Sequence, residues 1–114
     1  MSKELVVSHD SGATVYATIR VPTNGNAGKW WDTVAEAVAA FAVGDWANYA
    51  ITLSELGSSG LYEGDIPAGL STELSLEVIY WEQAGASPAS SDYKICGSLF
   101  RDPRRWAADS ALRL

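Results

Sequence analysis

Residues 73–82 read Glu-Leu-Ser-Leu-Glu-Val-Ile-Tyr-Trp-Glu, and this stretch decides the fold. Leu74, Leu76, Val78 and Tyr80 alternate with Ser75, Glu77, Ile79 and Trp81. A period of two puts the first set on one face of a β-strand and the second on the other. The first face is wholly apolar and belongs to the core. The second begins polar and turns apolar at Ile79 and Trp81, so that end also needs a cover. It is the longest uninterrupted strand signal in the chain, and it predicts a central strand.

Working outward, the same period returns. Leu5 to Ser8 is a short β-prone start, and His9-Asp10-Ser11-Gly12 is a turn cluster. From Thr14 to Val21, Val15, Ala17, Ile19 and Val21 face one way and Tyr16, Thr18 and Arg20 the other. Pro22 to Gly28 is a loop with Asn24-Gly25 as its turn dipeptide, and Lys29-Trp30-Trp31-Asp32 starts a returning strand. Residues 33–42 carry two signals. Their alanines and the spacing of Val34, Ala37, Val38 and Phe41 favour a helix, while their place between two Trp-rich β segments favours an edge strand and loop. The strand is preferred.

Trp46 to Leu56 reads as β, with Tyr49, Ile51 and Leu53 on one face, and Gly57-Ser58-Ser59-Gly60 closes a hairpin onto Leu61–Ile66. Tyr62 and Ile66 face inward there. A loop from Ala84 to Ser91 and a last strand from Tyr93 to about Leu99 complete the pattern. About seven short strands with Gly, Pro and Ser punctuation make an antiparallel β-sandwich of the immunoglobulin or fibronectin type. Asp102-Pro103 is an N-cap followed by a first-turn proline, which predicts a short C-terminal helix or arm with Trp106, Ser110 and Leu114 on one stripe and Leu112 nearby. The organisation expected is a β domain over residues 1–98 and a basic, Trp-containing arm over residues 99–114.

The totals bound the function. With 114 residues, 47% hydrophobic and 19% charged, the chain has the composition of one folded domain. It shows no apolar run long enough to cross a bilayer and no hydrophobic leader at its start. Cys96 is the single cysteine, so no internal disulfide forms; it is expected as a small core or second-face residue. A net charge of −6 argues against nucleic acid as partner. Residues 1–98 hold four basic and twelve acidic side chains, whereas residues 99–114 hold four arginines and two aspartates. The arm is electrostatically unlike the body.

No constellation points to catalysis, a metal or another cofactor. Ser8-His9-Asp10 has the letters of a hydrolase triad, but adjacent side chains in an extended segment diverge. His9 is the single histidine, which disfavours a histidine metal site. Glu55, Glu63, Asp65, Glu77 and Glu82 lie on or beside strands but mostly alternate with core positions, so they are expected in solvent rather than flanking a glycosidic bond. Five tryptophans remain. Trp30, Trp31 and Trp81 are the candidate surface aromatic patch, for a sugar ring or a protein partner, although consecutive Trp30 and Trp31 must face opposite ways in a strand. The arm either folds back on its own acidic sheet or docks onto a neighbouring subunit; if it reaches outward, Phe100, Trp106, Leu112 and Leu114 are the candidate anchors and Arg101, Arg104 and Arg105 the orienting charges.

Five stretches resemble small β-sandwich proteins encoded among the structural genes of tailed phages and prophages. They are Tyr16–Arg20, Trp31-Asp32, Trp46–Ile51, Gly60-Leu-Tyr-Glu-Gly-Asp-Ile-Pro67 and Glu82–Pro88, spanning most of residues 14–90. The resemblance implies a non-enzymatic virion component (capsid decoration, connector, tail or baseplate accessory), assembled in the host cytoplasm and bound to itself or to other virion proteins. It supplies no catalytic residues. The alternative is a carbohydrate-binding or host-adhesion module that uses an exposed tryptophan face.

Overall fold

A computed structural model describes residues 5–22, 27–70 and 75–101, the last four by backbone alone. Two antiparallel sheets form an all-β, sandwich-like fold. The smaller sheet pairs β1 (Leu5–Ser8), β7 (Leu61–Gly64) and β6 (Ser54–Glu55) in the order β1-β7-β6. The larger runs β4 (Ala37–Ala39), β3 (Trp30–Asp32), β2 (Val15–Arg20), β8 (Ser75–Glu82), β9 (Tyr93–Arg101), and β5 (Ile51–Thr52) also pairs with β2.

The central strand is where its alternation puts it. β8 is hydrogen-bonded to β2 on one side and β9 on the other, with Leu76, Val78 and Tyr80 buried. Across the β2–β8 ladder Ala17 opposes Tyr80 and Ile19 opposes Val78. Leu5, Val7, Leu53, Tyr62 and Leu70 close the core from the other side. Each such Leu, Ile or Val contributes about 1.5–3 kcal/mol by leaving water, so the inner face of β2 and β8 outweighs any local propensity nearby. Leu74 lies outside the described residues. Ile66 is half-buried against the core, as its inward reading requires.

Three sequence readings need correction or refinement. Residues 46–56 are not one strand. Val43–Tyr49 is a 3-10 helix, and Ile51–Thr52 then pairs in the larger sheet while Ser54–Glu55 pairs in the smaller. Buried Leu53 is the residue at which the chain changes sheets. Tyr49 therefore packs on the opposite side of the large sheet from Leu53. Residues 33–42 are a turn and then the edge strand β4: the Asp32 carboxylate accepts the Val34 and Ala35 N–H groups, which starts a helical turn, but Glu36 takes φ +54° and ends it. Finally, β9 runs through Arg101, slightly past the end expected at about Leu99, so the division drawn at residues 98 and 99 falls within its paired residues. The C-terminal helix, and with it Ser110, lies outside the described residues.

The turns at one end are tied together by specific groups. Gly60 has φ +76°, and a Cβ there would collide with the His9 carbonyl oxygen, whose own N–H donates to the Gly60 carbonyl at 2.8 Å. The Glu55 carboxylate accepts N–H groups from Gly12 (3.1 Å) and Gly60 (2.9 Å). The Ser11 side chain first, and then these two backbone donors, hold its pKa below the ordinary carboxylate value.

Candidate functional site

The outer face of the large sheet is the second apolar surface that Ile79 and Trp81 announce. On that face β2 presents Tyr16, Thr18 and Arg20 opposite Trp81, Ile79 and Glu77 of β8. Arg20 also opposes Trp30 of β3, and its Nε donates to Glu77 at 2.6 Å. The cover is the 3-10 helix, which lays buried Trp46 and Tyr49 over these strands. Residues three apart share one side of a 3-10 helix, so Trp46 and Tyr49 point down together.

The result is a cluster of aromatic rings. Trp46 lies 5.8 Å from Trp30 and 5.1 Å from Trp81, and Trp30 lies 5.0 Å from Phe41 and 5.7 Å from Tyr49. Trp46 meets Trp81 edge-on at 88°. Such tilted and T-shaped contacts pack rings against one another and do not present one flat surface. The indole N–H groups of Trp81 and Trp46 find their acceptors inside the cluster. Trp81 Nε1 donates to Thr18 Oγ1 and Trp46 Nε1 donates to the Tyr16 hydroxyl, each at 3.0 Å. Tyr16 in turn donates to Asp92 Oδ2 at 2.6 Å.

Asp92 is 7% exposed and locks the 84–92 loop beneath this cluster, accepting N–H groups from Ala89 (2.9 Å) and Ala84 (3.1 Å). Burial alone pushes its carboxyl up, but the hydrogen bonds from Tyr16, Ala89 and Ala84 outweigh burial and leave its pKa below the ordinary value. Burial, and then the Asp92 hydrogen bond, push the Tyr16 hydroxyl well above its usual range, so it remains the donor.

The expected patch of Trp30, Trp31 and Trp81 is therefore corrected. Trp31 is 5% exposed and sits in the inner core, because it follows Trp30 in an extended strand and must point the other way. Trp30 and Trp81 are half-buried on the outer face. Phe41, 44% exposed, and Val43, 63% exposed, form the solvent side of the cluster. The sequence reading missed Phe41, Trp46 and Tyr49 as one unit. The signal was the three-residue spacing of Trp46 and Tyr49 just after Gly44-Asp45, hidden by the alternation of Tyr49, Ile51 and Leu53.

Three of the five carboxylates on or beside strands have identified partners. Glu77 binds Arg20, Glu55 binds backbone N–H groups, and Glu82 Oε1 is 2.6 Å from His9 Nε2. His9 thus turns away from its sequence neighbours Ser8 and Asp10 toward β8. Among the described residues, no group of three or more His, Cys, Asp or Glu side chains is placed to hold a metal ion, and no helix is long and apolar enough to cross a membrane.

No protein-family model, curated protein or solved structure matches this chain. The remaining candidate is the last strand. β9 is the terminal strand of the larger sheet, nine residues long, and among the described strands nothing pairs with its outer edge. Cys96 is exposed there, which corrects the expectation of a core or second-face residue. It opposes Tyr80 on the inner face. The smaller sheet stops at β1, whose Val6 N–H donates to the Tyr80 hydroxyl at 3.2 Å, and Ile95 of β9 is partly buried against the core beside exposed Cys96. Tyr93 is 63% exposed and Lys94 is also exposed. Phe100 and Arg101 are placed by backbone at the end of β9; Arg104, Arg105, Trp106, Leu112 and Leu114 lie outside the described residues.

Proposed function

We propose that this protein is a non-enzymatic assembly module of a tailed-phage-like particle, acting through its C-terminal strand and the arm that follows it. One observation carries the reading: a nine-residue edge strand, with no neighbour among the described strands, leads straight into the arginine-rich, Trp-bearing end of an otherwise acidic chain. A strand edge is a row of backbone donors and acceptors that a further chain can complete, and natural sheets leave long edges open chiefly where something pairs with them or where charges protect them. The resemblance of residues 14–90 to phage sandwich proteins supplies the biological setting. The internal hydrogen bonds of the Trp46 and Trp81 N–H groups, and the tilted packing of Trp30 against Phe41, Trp46 and Tyr49, favour this reading over a sugar platform, which needs an open ring face.

Light scattering on size-exclusion peaks tests it, comparing the full chain with a chain ending at Arg101 and with circular dichroism as the folding control. The full chain is expected to form a defined oligomer, or to co-elute with a second virion protein; the shortened chain, which keeps the β9 edge and loses the arm that anchors a neighbour to it, is expected to be a folded monomer that captures neither. If the two chains have equal mass and equal stability, and neither binds a second virion protein, the arm has no assembly role and the proposal fails.

A further inference from the structure

On the inner side of β3, away from the outer aromatic cluster, an open groove of about 420 Å3 is lined by Trp31, Thr33, Ile51, Pro67, Ala68 and Gly69 together with exposed Glu36. Its floor is held open by glycine. A Cβ on Gly69 would stand 2.6 Å from Trp31 Cη2, so the bare backbone lets the indole reach the groove. A mainly apolar slot, with Thr33 and a single carboxylate in its lining, suits an aromatic side chain flanked by cations. This chain carries that sequence itself at Arg104-Arg105-Trp106.

We propose that the groove receives Trp106 from a second copy of this chain, with Arg104 and Arg105 of the arriving arm set against Glu36. The inference rests on the assembly reading above and names the surface it uses. Charge complementarity favours it. The acidic body of four basic and twelve acidic side chains attracts a terminal segment with four arginines, and Glu36 is the charged group that lines the groove.

Reach decides between a chain's own arm and a neighbour's. Arg101 opposes Ser75, and Trp30 opposes Arg20, which opposes Glu77, so Trp31 lies three residues along and three strands across from the end of β9. With strand spacings of about 4.8 Å and a rise of about 3.3 Å, that is about 17 Å in a straight line across the sheet. The five residues from Arg101 to Trp106 advance only about 7.5 Å as the helix that Asp102-Pro103 predicts. Fully extended they span about 17 Å, with nothing left to pass around the edge of the sandwich. A neighbour's arm has no such limit, and reciprocal docking gives a closed two-fold pair.

The test uses full-length chains and sedimentation velocity, with circular dichroism as the folding control. Glu36→Lys, at an exposed turn position where Lys meets the same backbone demand as Glu, reverses the groove; Arg104→Glu with Arg105→Glu reverses the arm. Each alone is expected to weaken self-association at least tenfold. All three changes in one chain, and a mixture of the two monomeric variants, are each expected to restore dimers. If Trp106→Ala abolishes association while Glu36→Lys leaves it unchanged, the arm docks elsewhere: the groove assignment falls and the assembly reading survives. If the wild-type chain stays monomeric and Glu36→Lys changes only its thermal stability, the arm seats on its own chain and the exchange is overturned. If the wild-type chain stays monomeric and no variant differs from it, the exchange is again overturned, and the Arg101 truncation test against other virion proteins decides the wider reading by itself.

Discussion

At the scale of single residues, Asp92 shows how a buried charge is tolerated. Its carboxylate is nearly out of water, yet it accepts from one hydroxyl and two backbone N–H groups, and the loop that supplies those N–H groups is held under the aromatic cluster as a consequence. Because the folded pKa of Asp92 is lowered, its contribution to stability is complete above the unfolded value of about 3.9 and is lost as pH falls through the folded one. Asp92→Asn is expected to cost about 1–3 kcal/mol at neutral pH, since it sets an amide against donors, and to flatten the loss of stability below about pH 4. Urea melts of both proteins at neutral pH and at pH 3 check this; an equally steep acid loss in the variant would show that other carboxylates carry it. None of these partners could be read from Asp92 in the sequence, where it stands in a Ser-rich loop like any solvated aspartate.

At the scale of elements, the informative failure is Trp46–Tyr49. Local alternation predicts a strand, and the chain forms a 3-10 helix because the outer face of β2, β3 and β8 carries Tyr16, Trp30 and Trp81 and needs covering. Trp46 packs against four rings there, those of Trp30, Phe41, Tyr49 and Trp81, and supplies the Tyr16 hydroxyl with its donor. Trp46→Ala should lower stability by about 3–5 kcal/mol, as large-to-small core changes do. Trp46→Phe keeps a ring and loses the N–H, so it should cost about 1 kcal/mol. Thermal unfolding followed by near-ultraviolet circular dichroism distinguishes the two. Equal small losses would mean that the 3-10 helix is only loosely seated on the sheet. The corresponding success is β8, whose alternation survived because burial on its inner face and the period of its side chains demand the same conformation.

At the scale of the whole molecule, the division of charge between residues 1–98 and 99–114 sets the expected physics of association. Contacts between an arginine-bearing arm and an acidic body are screened as the Debye length shrinks from about 10 Å at 0.1 M salt to about 3 Å at 1 M. Self-association should weaken over that range while the unfolding temperature of the sandwich changes little, and sedimentation and calorimetry at both salts separate the two. Association that strengthens with salt would point to an apolar contact, such as the Phe41 and Val43 surface, in place of the arm.

What the sequence determined by itself was every feature set by local period and turn chemistry: the alternation of β2 and β8, the hairpin at Gly57–Gly60, the return at Trp30–Asp32 with one tryptophan on each face, and the charge contrast of the arm. These are properties of a few consecutive residues, so they are legible without their surroundings. Tertiary structure alone decided the rest. It set which strands pair, the change of sheet at Leu53, the 3-10 cover over the outer face, the exposure of Cys96 at an edge, and the meeting of Trp31, Glu36 and Gly69 around one groove. Each of those depends on groups far apart in the chain, and the free energy that selects them comes from burying shared apolar surface, which has no signature in any one segment.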